Sequence, residues 1–313
     1  MMRTVPLGSS GLSVPNVVAG MMRIDDKTDA EVRALYQTSR DAGIDFFDHA
    51  DIYARSLHSA EERFAQALSL SGAERAEIRL QTKAGIVREG PYFDFSYEHL
   101  VSSVEGSLRA LRTDYVDVLL LHRPDALVEP DEVARAFDHL EESGKVRAFG
   151  VSNHTPRQID LLRTAVRQPI VANQVQLSIA HAPVVAQGLA ANMETASQSA
   201  VLDGGGLVEY CRIEGITIQA WSPLQGTRGG GGVFLGHPEY AELNRVIDDL
   251  AGRYGVEPLA IAVAWITRHP AGMQVVLGTT TPARVIDAAA GSDIPLTRAE
   301  WYALVRAAGY IVP

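Results

Sequence analysis

An α/β fold, a single (β/α)8 TIM barrel with an N-terminal β-hairpin and an extra C-terminal helix, is expected of these 313 residues. Three observations lead to it. Short apolar runs of strand length alternate with segments of helical periodicity almost to the end of the chain, the pattern of parallel βα units. No G-x-G-x-x-G follows any strand, which argues against a doubly wound dinucleotide-binding sheet. Three successive strands also end on a polar residue able to do chemistry, as the C-terminal rim of a barrel does.

Val5–Gly8 and Leu12–Val14 form the opening hairpin, and Val17–Gly20 the first barrel strand. Thr28–Ala42 reads as a helix that Thr28 can cap and Gly43 stops. The later strands are Ile44–Phe47, Ile78–Thr82, Val116–Leu121, Val146–Val151, Ile170–Gln174, Ile216–Trp221 and Val275–Leu277. Helical periodicity fills Ala60–Leu70, Tyr97–Leu111, Pro130–Ser143, Pro156–Ala165, Leu207–Ile213 and Glu239–Tyr254. Ser178–Gly206, rich in Ala, Ser, Gln and Gly, is an insertion after the sixth strand with a short helix at Val184–Ala191. A glycine run, Thr227–Gly232, follows the seventh. Both leave the rim where long loops commonly serve function. Arg298–Ala308 is the extra helix, packing outside or across the barrel. No repeat or linker interrupts the pattern, so residues 1–313 read as one domain.

The chain is 46% hydrophobic, enough for a large core. Its 28 basic and 38 acidic residues give a net charge of −10, which argues against nucleic acid as a main partner. One or two local arginines would still suffice for a phosphate. The single cysteine, Cys211, excludes an intrachain disulfide and a cysteine-rich metal site; its apolar surroundings mark a buried, inert thiol. With no apolar run long enough to span a membrane and no apolar segment after Met1-Met2-Arg3, a cytoplasmic protein is expected. No apolar stripe calls for an obligate dimer, so a monomer is the default.

The run Gly43–Tyr53 carries the chemistry: a strand ends on Asp48 and Tyr53 follows five residues later. The next two strands end on Lys83 and His122. On a parallel barrel these four share one face. A free tyrosine titrates near 10, and an ammonium at ~4 Å in an effective dielectric of ~20 favours its phenolate by about 4 kcal/mol. Lys83 is therefore expected to bring Tyr53 toward neutral pH, with Asp48 keeping Lys83 protonated. A neutral His122 could hydrogen-bond a carbonyl oxygen. Singly, each residue has an ordinary reading as a strand-end cap, a packed aromatic or a satisfied core group. Their joint placement is what reads as a site. A metal-dependent hydrolase could be imagined from Asp48, His49, Asp51 and His122. Adjacent Asp48 and His49, however, point to opposite sides of a strand, and Lys83 would lack a role, so no metal is expected.

The motifs Phe47-Asp48-His49-Ala50-Asp51-Ile52-Tyr53, Thr82-Lys83, Leu121-His122-Arg123-Pro124-Asp125 and Gly144 through Asn153 resemble the aldo-keto reductase family. So do Asn173-Gln174-Val175-Gln176, Ala220-Trp221-Ser222-Pro223-Leu224 and Gly278 through Arg284, and the details are most similar to a bacterial oxidoreductase subgroup. The resemblance runs over essentially the whole chain. It implies NADPH lying extended across the barrel mouth and a small-molecule carbonyl substrate. Ser152, Asn153 and Gln174 would meet the nicotinamide carboxamide, although Ser152 and Asn153 could instead cap the helix near Pro156. Trp221 would stack on the nicotinamide. Ser222, Leu224 and the glycine run would close over the pyrophosphate. Gly278, Thr279, Thr280 and Arg284 would hold the 2′-phosphate, with Asp287 near the adenine.

The chain departs from the family at Ala54–Glu61, which lacks glycines and a serine common there, and at Ala288, where relatives often carry an asparagine. Met22, Arg23, Tyr92, Phe93 and His181 are expected to rim a pocket for an aryl or apolar carbonyl compound, with Arg23 available to a carboxylate. The implied reaction is reduction of an aldehyde or ketone with Tyr53 as general acid. The rival is a nucleotide-sensing regulatory subunit, marked by tight NADPH binding, little turnover and a stable partner.

Overall fold

Eight parallel strands close on themselves in the computed structural model, which describes residues 2–189, 206–226 and 232–312. The chain opens with β1 (Thr4–Pro6) and β2 (Ser13–Pro15), then β3 (Val17–Gly20), α1 (Asp29–Asp41), β4 (Phe46–Asp48), α2 (Ser59–Leu68) and α3 (Gly72–Ala76). It continues through β5 (Arg79–Ala84), β6 (Ile86–Val87), β7 (Tyr92–Phe93), α4 (Tyr97–Leu111), β8 (Val118–Leu121), α5 (Pro130–Glu142), β9 (Phe149–Ser152) and α6 (Pro156–Leu162). Next come β10 (Ile170–Gln176), α7 (Pro183–Leu189), α8 (Leu207–Ile213) and β11 (Thr217–Trp221). The last elements are α9 (Ala241–Tyr254), α10 (Pro258–Thr267), β12 (Gln274–Leu277), α11 (Pro282–Ala290) and α12 (Arg298–Ala307). Around the barrel the order is β3-β4-β5-β8-β9-β10-β11-β12, closing back onto β3.

Alternation along each strand sorts the side chains into two cores. Val17, Phe47, Leu80, Leu119, Phe149, Ile218 and Val275 face outward and pack beneath the helices. Val18, Phe46, Leu120, Ala172 and Val276 face inward and join Val5, Leu7 and Val14 of the β1–β2 hairpin, which plugs the N-terminal end. Gly8 makes that plug possible: its φ is +51°, and an added Cβ would lie 2.4 Å from the Val171 carbonyl oxygen.

Thr28 caps α1 and accepts from the Glu31 amide while Glu31 reaches back, so the expected helix start is a capping box. α10 was not foreseen. Leu259 through Thr267 are all buried, so this helix has no polar face and leaves no 3.6-residue signature. Nor were the short α3 and the two-stranded β6–β7 ribbon foreseen; both fall below the length at which periodicity speaks. Of the 178–206 insertion, α7 lies within the described residues and residues 190–205 outside them. The glycine run over 227–231 also lies outside them. Among the described residues no helix is long and apolar enough to cross a membrane. Cys211 is buried as expected, and burial pushes its thiol up to about 12.

Candidate active site

The inward positions that follow the apolar plug toward the strands' C-terminal ends are polar. Asp48 and Lys83 are inward residues of β4 and β5, and His122 follows β8. Tyr53 arrives on the loop after β4, with its amide bonded to the Ala50 carbonyl. The Lys83 ammonium is fully buried and meets all its partners at short range. Nζ donates to both Asp48 carboxylate oxygens at 2.7 Å, to the His49 carbonyl at 2.8 Å and to Tyr53 Oη at 2.9 Å. Because Oη accepts from lysine, its own proton is free for the cavity. The His122 ring sits edge-on to Tyr53, with centroids 5.8 Å apart.

Tyr53 corrects one expectation. Burial raises its pKa above the ordinary value, outweighing the lowering by Lys83, and Asp48 pushes in the same direction as burial. The carboxylate that holds the lysine also cancels much of its field at the phenol. Tyr53 is thus a neutral phenol with a proton to give. Burial alone would lower Lys83, but Asp48 and Tyr53 raise it overall. His122 is held well below its usual value by burial, then by Lys83 and Arg123, so its ring is neutral. Its Nδ1 is buried without a partner among the described residues. An unmet lone pair costs less than an unmet N–H, which favours the tautomer with the proton on Nε2. His49 faces away: its ring packs edge-on against Phe64 at 4.8 Å, and burial takes it down to about 3.

The loop that carries Tyr53 is built without the glycines its shape would favour. Ala54 and His58 both take positive φ, at 76° and 62°. Buried bonds offset that strain: His58 pairs with Glu61 at 2.6 Å, and Thr82 donates to Glu61 at 2.5 Å.

A second hydrogen-bonded chain converges on Asp48. Trp221 Nε1 donates to Asn153 Oδ1 at 3.0 Å, and Asn153 Nδ2 to Ser152 Oγ at 2.7 Å. Ser152 Oγ donates to the Gln174 carbonyl at 2.9 Å, and Gln174 Nε2 to Asp48 Oδ1 at 3.0 Å. Ser152 and Asn153 are not caps, because Thr155 caps α6. Asn153 and Ser222 turn out of their strands at φ of 62° and 51°, strained positions of the kind that gather at functional sites.

Below them runs a ladder of amides that sequence reasoning missed. Gln81 Nε2 donates to Asp48 Oδ1 at 2.5 Å, and Gln81 and Gln219 exchange bonds at 3.0 and 3.1 Å. Gln219 then donates to Gln274 at 3.0 Å, and Gln274 to the Pro15 carbonyl at 2.7 Å. All three are completely buried. The signal was present: Gln81 lies two residues before Lys83, and Gln219 two before Trp221, so each shares its strand's inward face. Replacing Gln81 by Leu should cost about 1–3 kcal/mol in urea unfolding, since it takes from Gln219 the acceptor of one buried N–H and removes a donor from Asp48. A variant as stable as the parent would show the ladder to be dispensable.

Above these groups opens a cavity of about 570 Å³, within the range of small-molecule sites. Asp48, Tyr53, His122, Ser152, Asn153, Gln174, Trp221, Ser222, Leu224, Gly278, Thr279 and Arg284 line it, with Met22 and Arg23. Lys83 lies beneath, reaching it through Tyr53. Several expected residues do not line it. Thr280 and Asp287, expected at the 2′-phosphate and the adenine, are not among its lining residues, and Tyr92 and Phe93 stand exposed on the β6–β7 ribbon. His181, whose backbone amide bonds Ser178 Oγ, is not among its lining residues either. Arg123, Pro223, Gln225, Val233 and Leu235 line the cavity without having been expected there. A cleft of about 640 Å³ beside His58, His99 and Arg109 contains none of the converging groups, so chemistry rather than size locates the site.

Comparison with known proteins agrees with this geometry. The aldo/keto reductase family matches residues 16–308. The chain is 35% identical to the Bacillus subtilis (strain 168) protein called uncharacterized oxidoreductase YcsN, over 96% of this chain and 97% of that one. It is 34% identical to 6-dehydroglucose reductase of Agrobacterium fabrum (strain C58), over 95% of each. A thermostable aldo-keto reductase, Tm1743, solved with the inhibitor epalrestat, has the same fold. It aligns with a TM-score of 0.77 at 23% identity, over 98% of this chain and 100% of that one. With the barrel closed and the family matched over most of its length, the chain belongs to the aldo/keto reductase family of oxidoreductases.

Proposed function

We propose that the protein reduces an aldehyde or ketone to the alcohol with NADPH, with Tyr53 as general acid. The observation that carries this reading is Lys83, held by both oxygens of Asp48, donating to Tyr53 Oη beneath the cavity. The name of the 6-dehydroglucose reductase relative points to the same class of reaction.

The residues present fit a nicotinamide nucleotide. Asn153 Nδ2 has a second hydrogen uncommitted, and Gln174, whose Nε2 is taken by Asp48 and Gln219, keeps its Oε1 for a carboxamide N–H. Trp221 offers a half-buried indole face whose plane is held by Asn153. At the other end, Arg284 stands in the first turn of α11, whose N-terminus has no side-chain cap and suits a phosphate. When bound, the cofactor supplies the hydride to the carbonyl carbon. His122 orients the carbonyl oxygen, Tyr53 gives that oxygen its proton, and Lys83 stabilises the phenolate left behind. Solvent then returns a proton to Tyr53, closing the balance.

Titration with NADPH and with NADH, followed by quenching of Trp221 fluorescence, tests the cofactor. Trp265 and Trp301 stack on each other at 5.1 Å outside the cavity, so Trp221→Phe should abolish the response. Arg284→Ala should weaken NADPH about 10–100-fold, the loss of one charge-assisted contact, and spare NADH. Binding of neither nucleotide would sink the reading. Tight binding without turnover of any aldehyde would favour the regulatory one.

A further inference from the structure

The Tyr53 end of the cavity carries a positive charge that no carboxylate answers. Arg123 directly follows His122 and lines the same cavity, half-buried. Its guanidinium lies 5.4 Å from the centre of the Trp221 ring, and among the described residues no hydrogen bond or ion pair holds it. The other buried or half-buried arginines are all satisfied. Arg40, Arg63, Arg75, Arg79 and Arg163 reach carboxylates, and Arg268 donates to the Leu296 carbonyl. With no carboxylate or carbonyl on it, this guanidinium leaves its donors to the cavity solvent, ready for an anionic ligand to take them up.

The lining shows the sign of that ligand. It holds three arginines and one acid, Asp48, which Lys83 already answers. Arg23 is tied to the Gly278 carbonyl at 3.3 Å, at the end assigned to the nucleotide phosphates together with Arg284. Arg123 belongs elsewhere: β8 stands four strands from β12 in either direction, so it lies across the mouth from Gly278 and Arg284. The Trp221 ring, 5.4 Å away, is a cation–π neighbour that takes none of the N–H donors, leaving the guanidinium fork for a planar anion.

We infer that the substrate is an anionic carbonyl compound, bearing a carboxylate near the reacting carbonyl, and that Arg123 grips the carboxylate while His122 meets the carbonyl oxygen. This rests on the reductase reading and narrows it, replacing the apolar substrate and the Arg23 contact expected earlier. Two matched pairs of probes test it. Benzoate and benzamide differ in charge at similar size, and their binding to the NADP+-loaded protein needs no turnover. Benzoate should bind at least about tenfold more tightly, and Arg123→Met should erase that preference. In turnover, Arg123→Met should lose at least about tenfold more kcat/KM on 4-formylbenzoate than on its methyl ester, the loss falling mainly in KM. Arg123→Lys, which keeps charge but not the fork, should recover part of it. Equal affinity for benzoate and benzamide would overturn the inference. So would an Arg123→Met defect that falls on NADP+ binding and leaves the benzoate preference intact. If the benzoate preference holds but no aldehyde is reduced, the anion site stands and the reductase reading falls.

Discussion

Tyr53→Phe is expected to lower kcat for carbonyl reduction by about 10²–10⁴-fold, the usual worth of a positioned general acid. NADPH affinity and folding should survive, because Lys83 keeps its bonds to Asp48 and the His49 carbonyl when the phenol oxygen is removed. The pH profile carries the sharper information. Reduction needs the protonated phenol, and burial raises the Tyr53 pKa. Activity should therefore hold steady through neutral pH and fall only above the ordinary tyrosine value of about 10. His122 should add no acid limb at or just below 6.5, since it is already neutral there. A decline in kcat beginning near pH 7 would mean that lysine, not burial, governs the phenol. Full activity in the Phe variant would remove Tyr53 from the mechanism.

The second large effect is expected at Lys83. Lys83→Met should destabilise the protein by about 3–5 kcal/mol, because it strands the Asp48 carboxylate in a site 1% exposed to solvent. Activity should vanish as well, since nothing would then steady the Tyr53 phenolate. Adding Asp48→Asn to Lys83→Met should restore much of the stability and none of the activity. That split separates what the pair does for the fold from what it does for the reaction. Additive losses across the cycle of single and double variants would show that the two charges are not coupled. The sign with pH also follows. The folded-state pKa of Lys83 is raised, so the pair's contribution is complete at neutral pH and is lost only as pH climbs through that raised value.

Much of the barrel was legible because period-two alternation is local. Each strand shows which of its residues share a face, and Asp48, Lys83, Gln174 and Trp221 fell on the inward one. The opening hairpin and the α1 cap were legible for the same reason, their signals lying within a few residues, whereas the hairpin's place as a plug was not. α10 was not, since a helix buried on every side carries no pattern that distinguishes a face. Tyr92 and Phe93 show another limit. Sequence places them on a loop after a barrel strand, but whether they reach the cavity depends on how that loop folds, and they pair into the exposed β6–β7 ribbon instead.

The chain by itself determined the strand order of the barrel, the delivery of a carboxylate, a lysine and a histidine to one rim, and the family. These follow from spacing and side-chain direction. Tertiary structure alone decided which way Tyr53 is shifted, which amides pair across the barrel beneath Asp48, and that Arg123 faces the cavity with no carboxylate on it. Each of those is a balance of burial against contacts between strands far apart in sequence. Burial and long-range pairing exist only once the barrel has closed.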